Sequence, residues 1–349
     1  MTKEDFLIQL REYNEDELFY RQYYYAGKQK ERLDAFLAEL DPFQLSNRGL
    51  YVSEISSIQI PTNYSDEDFF TSDSAESVCI SKHNRFTPPF RHSHVFFEVT
   101  YVLEGSCTQS INGIDVMLSK GDFCLISPDT PHSISVFDSS IIINILIRRS
   151  MFEETFTNMI HSNDIFSLYF KQILYTSSYK DYLIFSTGND VHLQDLILEM
   201  FMEFQDKRKY YESILSNMLM ILFSKILRNY ESTVYTTRDS RHHRPEVLEM
   251  ITYMEQNYRD ITLPDLAEHF HFSVQYCSKL LKQYTGKTFS KLLQTIRFEK
   301  AKLLLKNTNI SVAEISNQMG FQNPEYFNRR FKELFHVTPG EYRHHALNT

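Results

Sequence analysis

The sequence predicts a multidomain α+β chain: a helical N-terminal extension, a β-rich barrel or sandwich, a helical hairpin and an all-α C-terminal module. Three observations predict it. Residues 50–147 break into short β-favouring runs separated by turn residues, with no long helical period. Beyond Ser150 the apolar spacing changes to that of amphipathic helices. Residues 245–349 then carry one helix-turn-helix pattern twice. A chain of 349 residues also exceeds what one core usually serves.

Residues 1–48 are polar and helix-favouring, with Leu33, Phe36, Leu37 and Leu40 at helical spacing. The tyrosines of YRQYYYAGKQ match no motif and are expected to pack on the body or on a partner. Residues 49–150 supply the expected strands: YVSEISSIQI (51–60), VCISK, FFEVTYVLEG, CTQSING, IDVMLSKGDFCLIS, HSISVF and IIINILI. Residues 151–230 read as helical. One stripe runs through Leu193, Leu196, Ile197, Met200, Phe201 and Phe204, and a second through Ile214, Leu215, Met218, Leu219 and Leu222. This hairpin either packs on the β domain or forms a dimer seam; residues 151–230 are taken as the dimerisation region, with Leu215 and Leu219 expected in the seam. Residues 231–244, with His242 and His243, read as a polar, basic linker.

Composition excludes several classes. Hydrophobic residues make up 42%, too many for a disordered protein. No apolar run approaches the ~18 residues of a membrane span, and the first residues lack the basic end and apolar run of a signal peptide. Cys79, Cys107, Cys124 and Cys277 are scattered, with no C-x-x-C pair, so neither a disulfide frame nor a zinc knuckle is indicated. A cytoplasmic protein without membrane association is the expectation. Net charge is −9, yet residues 244–349 hold 14 Lys+Arg against 11 Asp+Glu, and the other 243 residues hold 22 against 34. An acidic body thus carries a mildly basic C-terminal module.

That module repeats itself. TLPDLAEHFHFSVQYCSKLLKQYTG and SVAEISNQMGFQNPEYFNRRFKELFHVTP each open on a capping pair, Thr262 with Asp265 and Ser311 with Glu314. Each has a small residue in its first helix, Ala267 or Ser316, then a turn and a new N-cap, Ser273 or Asn323 followed by Pro324. The second helices align as KLLK (279–282) and RRFK (329–332), joined by FSKLLQTIRFEKAKLLL. Such a helix is shaped to lie in a DNA major groove.

Residues 245–349 resemble the DNA-binding domain of the AraC/XylS family of transcription regulators, most closely through IRFEKAKLLL…SVAEISNQMGFQNPEYFNRRFKELFHVTPGEYR. His271 stands where that family commonly has a small residue or glycine, and Ser316 where it usually has alanine. The resemblance implies base-edge contacts from Gln275, Ser278 and Lys279 in the first copy, and from Glu325, Asn328 and Arg329 in the second. Gln or Asn can pair with adenine, Arg or Lys with guanine, and Glu can accept from cytosine. Leu281, Phe321, Phe327 and Phe331 are expected in the core.

The stretch FRHSHVFFEVTYVLEG places His92, His94 and Glu98 together, on one face if it is a single strand. His132 ends GDFCLISPDTPH. The pattern is similar to the two motifs of the cupin superfamily, whose fold is a jelly-roll β-barrel; Thr130 and Pro131 depart from its metal-binding form. In metal-binding cupins the equivalents of His92, His94, Glu98 and His132 are ligands, and such a set suits a divalent metal such as iron, manganese, nickel or zinc. The same side chains could instead hydrogen-bond an organic ligand directly, or stabilise the barrel mouth.

The reading is therefore a DNA-binding transcription regulator that senses a small-molecule effector, a sugar or related metabolite among the candidates. No phosphate loop or nucleophile elbow points to an enzyme. Expected partners are double-stranded DNA, the effector and a second copy in a homodimer; RNA polymerase could be a further one. The alternative is a metal-dependent cupin enzyme fused to a DNA-binding module.

Overall fold

The computed structural model describes residues 2–55, 61–70, 76–156, 181–234 and 245–348. Among these, everything up to Val234 gathers into one compact unit and everything from Pro245 into a second.

The first unit begins with four helices, α1 (Lys3–Arg11), α2 (Glu15–Ala26), α3 (Lys30–Ala38) and α4 (Pro42–Arg48). Capping boxes start the first two, Thr2 with Asp5 and Asn14 with Glu17. Tyr20 and Tyr23 are buried, and Tyr24 stacks on Phe137 with ring centroids 4.7 Å apart. The strand expected at 51–60 does not form over Tyr51–Ile55, and residues 56–60 lie outside the described residues. The reason is local: the Tyr51 amide donates to Tyr20 Oη at 2.9 Å, while Leu50 and Val52 bury against the tyrosine cluster. These backbone groups serve the helices rather than a ladder.

Among the described residues ten strands follow: β1 (Asn63–Tyr64), β2 (Val78–Lys82), β3 (Ser93–His94), β4 (Phe97–Glu104), β5 (Ser106–Ile111), β6 (Ile114–Ser119), β7 (Asp122–Ile126), β8 (His132–Ser135), β9 (Ile141–Ile147) and β10 (Tyr182–Ser186). Two antiparallel sheets carry the architecture, one in the order β10-β7-β4-β9-β2 and one in the order β6-β5-β8; β1 and β3 form a short parallel pair. Asn112 and Gly113 both take positive φ between β5 and β6, as a tight two-residue hairpin requires. One apolar cluster draws on both sheets, with Val102, Cys124, Ile142 and Ile184 from the larger and Cys107, Ile111, Leu118 and Ile134 from the smaller. The sheets therefore face each other across a shared core.

The segment after Ser150 is not wholly helical. After α5 (Arg149–Phe156), β10 pairs with β7 in register from Tyr182↔Ile126 to Ser186↔Asp122. YLIFS is a short apolar run, and periodicity cannot tell such a buried strand from a buried helical turn. The hairpin is α6 (Val191–Asp206) and α7 (Tyr211–Tyr230). It lies against the larger sheet's other face: Phe223 meets Phe123 at 5.5 Å and Phe152 at 5.8 Å, edge to face. Leu215 and Leu219 are 1% and 0% exposed, so they belong to this core and not to a subunit seam. The face of α7 left open carries Ile214, Met220 and Ile221 instead. Of the expected linker, residues 231–233 close α7 as a 3-10 turn, and residues 235–244 lie outside the described residues.

Among the described residues the second unit has seven helices: α8 (Pro245–Gln256), α9 (Leu263–His269), α10 (Val274–Thr285), α11 (Phe289–Asn307), α12 (Val312–Gln318), α13 (Pro324–Phe335) and α14 (Pro339–Asn348). It has two apolar cores. One gathers Met250, Leu266, Cys277, Leu281 and Ile296, the other Phe298, Ile315, Phe321, Phe327 and Phe331.

Candidate functional site

The larger sheet's inner face changes character along its length. Thr100 and Val102 face the shared core, while Glu98, two and four residues earlier on β4, faces a cavity of about 170 Å³. Tyr64, Phe69, Phe90 and Phe96 give it aromatic walls; His83, His92, His94, Glu98 and Asn144 give it polar groups. Few polar groups in an aromatic cavity are the usual form of a small-molecule site.

Of the four residues singled out in the sequence, His92, His94 and Glu98 line this cavity and His132 is buried beside Glu98, but they do not lie along one strand. The chain bends at Val95 and Phe96, so His94 ends β3 and Glu98 lies on β4. His92 instead bridges His132: each amide donates to the other's carbonyl, at 3.0 and 2.9 Å. The SPDTPH turn, despite its departure from the metal-binding pattern, delivers His132 because the Asp129 amide donates to the His94 carbonyl at 2.7 Å. Ligand atoms of His92, Glu98 and His132 lie within 4.8 Å of one another. Glu98 Oε2 is 2.9 Å from His94 Nε2 and 3.1 Å from His132 Nε2.

The ring orientations follow from the backbone. Nδ1 of His92, His94 and His132 meets the carbonyls of Phe90, Phe96 and Thr130 at 3.1, 2.8 and 2.9 Å. A carbonyl oxygen only accepts, so Nδ1 carries the hydrogen and Nε2 is turned inward. A carboxylate oxygen also only accepts; each short Nε2–Glu98 contact therefore needs a proton or a cation on the nitrogen. Burial opposes charge on Glu98, but hydrogen bonds from His132 and His94 outweigh it and hold the carboxyl well below its usual range. Burial likewise opposes charge on His132, yet Glu98 raises its pKa. Burial, with His132 second, brings His92 down to about 4. His92, Glu98 and His132, with ligand atoms in mutual reach and both imidazoles fixed by outer hydrogen bonds, form a set that fits a first-row divalent metal, while His94 Nε2 meets the same Glu98 carboxylate.

Sequence reasoning missed His83 and Asn144. Both line the cavity, and His83 Nε2 and Asn144 Oδ1 are buried without a partner. They sit next to β2 and on β9, far from the histidine motif in sequence, and only strand pairing brings them in. Their one signal was a polar residue inside IIINILI.

In the second unit, α9 and α12 are followed by turns in which His271 (φ 55°) and Gly320 (φ 78°) hold the left-handed conformation. His271 thus adopts the geometry for which glycine is favoured. The recognition helices α10 and α13 start from Ser273 and Asn323, whose side chains cap them. Gln275 and Lys279 are exposed and Ser278 is half-buried; Glu325, Asn328 and Arg329 are all exposed. Opposite them, Leu281, Phe321, Phe327 and Phe331 are buried. Lys282 and Lys332, also exposed, occupy equivalent places toward the far ends of the two helices.

Residues 266–345 match the family model of a helix-turn-helix domain, and residues 75–222 match that of the AraC-like ligand binding domain, which runs through β10 and into α7. The chain is 23% identical over 257 residues to YdeC, an uncharacterized HTH-type transcriptional regulator of Bacillus subtilis, covering 72% of this chain and 85% of YdeC. It is 33% identical over 109 residues to the regulatory protein PocR of Salmonella typhimurium, covering 31% of this chain but only 36% of PocR. Among solved structures, ToxT from Vibrio cholerae aligns with a TM-score of 0.31 at 16% identity, covering 77% of this chain and 98% of ToxT. An AraC-like ligand binding domain followed by a duplicated helix-turn-helix makes the chain an AraC-type DNA-binding transcription regulator.

Proposed function

We propose that the cavity around His83, His92, Asn144 and Glu98 receives the effector, and that Gln275, Ser278, Lys279, Glu325, Asn328 and Arg329 read the DNA. The observation that carries the sensor reading is the pair of unpartnered buried atoms, His83 Nε2 and Asn144 Oδ1, in an aromatic cavity. Leaving such groups unmet is unfavourable by about 1–3 kcal/mol each, and a bound molecule would meet them. The protein works as a homodimer in the cytoplasm, with RNA polymerase as a further partner.

A second reading of the same pocket, favoured by the inward Nε2 atoms, is that His92, His94, Glu98 and His132 hold a divalent metal that the effector then contacts. Thermal-shift screening of the full chain against metabolites, with and without a chelator, tests both readings. A compound or a metal that raises the melting temperature supports its reading by mass action. No shift from any metabolite or divalent metal, together with unchanged regulation in a H92A/H94A variant, would reject the pocket. Turnover of a metabolite by the metal-loaded chain would favour the enzyme alternative.

A further inference from the structure

The two helix-turn-helix cores adjoin along α11. The first core ends on Ile296 of α11 and the second begins on Phe298. Between them, Arg297 donates to three main-chain carbonyls: Nε to Tyr258 at 2.8 Å, Nη2 to Arg259 at 2.8 Å and Nη1 to Gly320 at 3.1 Å. Tyr258 and Arg259 lie in the connection that leads into α9, while Gly320 lies in the turn that leads into α13. One guanidinium thus ties the entrance of the first helix-turn-helix to the turn of the second. Arg259 returns the link, its Nε donating to the Gln318 carbonyl at 3.1 Å.

The contact is close. A Cβ at Gly320 would lie 2.3 Å from the Arg259 carbonyl oxygen, so a side chain there would push the halves apart. Around the junction is a polar cleft lined by Asp260, Thr262, Glu314 and Asn317, rather than a continuous apolar core. Tyr258 packs against both apolar cores, and the Arg297 and Arg259 hydrogen bonds add directional ties beside it. Arginine suits this task because its planar fork presents five N–H donors in fixed directions, which a lysine ammonium cannot reproduce.

We propose that Arg297 is a positioning residue that sets the separation of the two recognition helices, and thereby the spacing of DNA half-sites the chain accepts. The proposal rests on the DNA-reading assignment above. Two readers held rigidly accept half-sites at one separation, and one inserted base pair moves a half-site by about 3.4 Å along the duplex axis.

The test uses the full chain. Random duplexes are first selected by the wild type, and affinity is then measured for the enriched site and for the same site with one base pair inserted between its halves. Wild type should lose about tenfold or more on insertion, whereas R297A should bind the intact site about tenfold more weakly and lose less than about threefold on insertion. R297K should lie between them. Because Arg297 is partly buried, the exposed Arg259 offers a second variant: R259A leaves both apolar cores untouched and should weaken the spacing dependence in the same direction. If both variants keep the wild-type spacing ratio, or lose affinity for intact and inserted duplex in equal proportion, the proposal is wrong. A selection in which wild type enriches no sequence would instead reject the DNA-reading assignment, and this proposal with it.

Discussion

Glu17 and Arg85 form a buried bidentate pair, Oε1 accepting from Nε at 2.8 Å and Oε2 from Nη2 at 2.9 Å. Glu17 belongs to α2, while Arg85 belongs to the loop after β2 that also supplies His83, Thr87, Phe90 and His92 to the cavity. Arg85 further donates to the Arg11 and Glu12 carbonyls. The N-terminal helices therefore hold one wall of the pocket in place. Breaking a buried pair leaves an uncompensated charge, so E17Q should destabilise the first unit by about 3–5 kcal/mol, read by urea unfolding. Burial opposes the Glu17 charge, but Arg85 and Lys82 outweigh it and bring its pKa from 4.5 to about 2. A depressed carboxylate stabilises the fold above pH 4.5 and loses that contribution as pH falls toward 2. The gap between wild type and E17Q should close over that window; a gap that stays constant from pH 7 to pH 2 would count against the assignment.

Replacing His92 and His94 by alanine should abolish the response to the effector in a reporter assay while DNA affinity in the effector-free state stays near wild type. The pocket residues and the residues proposed to read DNA belong to different compact units. An effector shifts regulation only by preferring one state of the protein. A normal response from the double variant would remove these histidines from the sensing site.

Arg329 is exposed on α13. R329A should weaken binding to the preferred sequence by about 1–3 kcal/mol and relax base preference at one position. K332A, if Lys332 meets phosphate, should instead weaken all sequences alike and reduce the salt dependence. Electrophoretic or fluorescence titrations against single-base variants at two salt concentrations separate the two outcomes.

If α7 makes the homodimer seam, Ile214 and Ile221 are the residues to change, since both are open on the helix and lie two turns apart. Sedimentation should show I214E/I221E as a folded monomer where wild type is a dimer. L215E should lose folded protein altogether, because that side chain is core. A monomeric wild type at micromolar concentration would dismiss the seam.

Much was legible because it is local. The capping pairs of Thr262 with Asp265 and Ser311 with Glu314, the duplicated helices, and the burial of Phe327 and Phe331 all depend on spacing within a few turns of chain. Helical periodicity and capping record such short-range preferences directly. The same holds for the alternation of strands through residues 78–147 and for the histidine motif.

Other features depended on which distant segments meet. The sequence by itself determined that the chain is a sensor-like β domain joined to a duplicated DNA reader, and it named Glu98 and the three histidines beside it, His92, His94 and His132. Only the tertiary structure decided that β10 completes the larger sheet, that Leu215 and Leu219 face inward, that His83 and Asn144 share the cavity, and that Arg85 and Arg297 act as ties between elements. The physical reason is the same in each case. An apolar run or a lone polar residue states only that a group needs a neighbour, and the identity of that neighbour is settled by strand pairing and core packing between residues far apart in the chain.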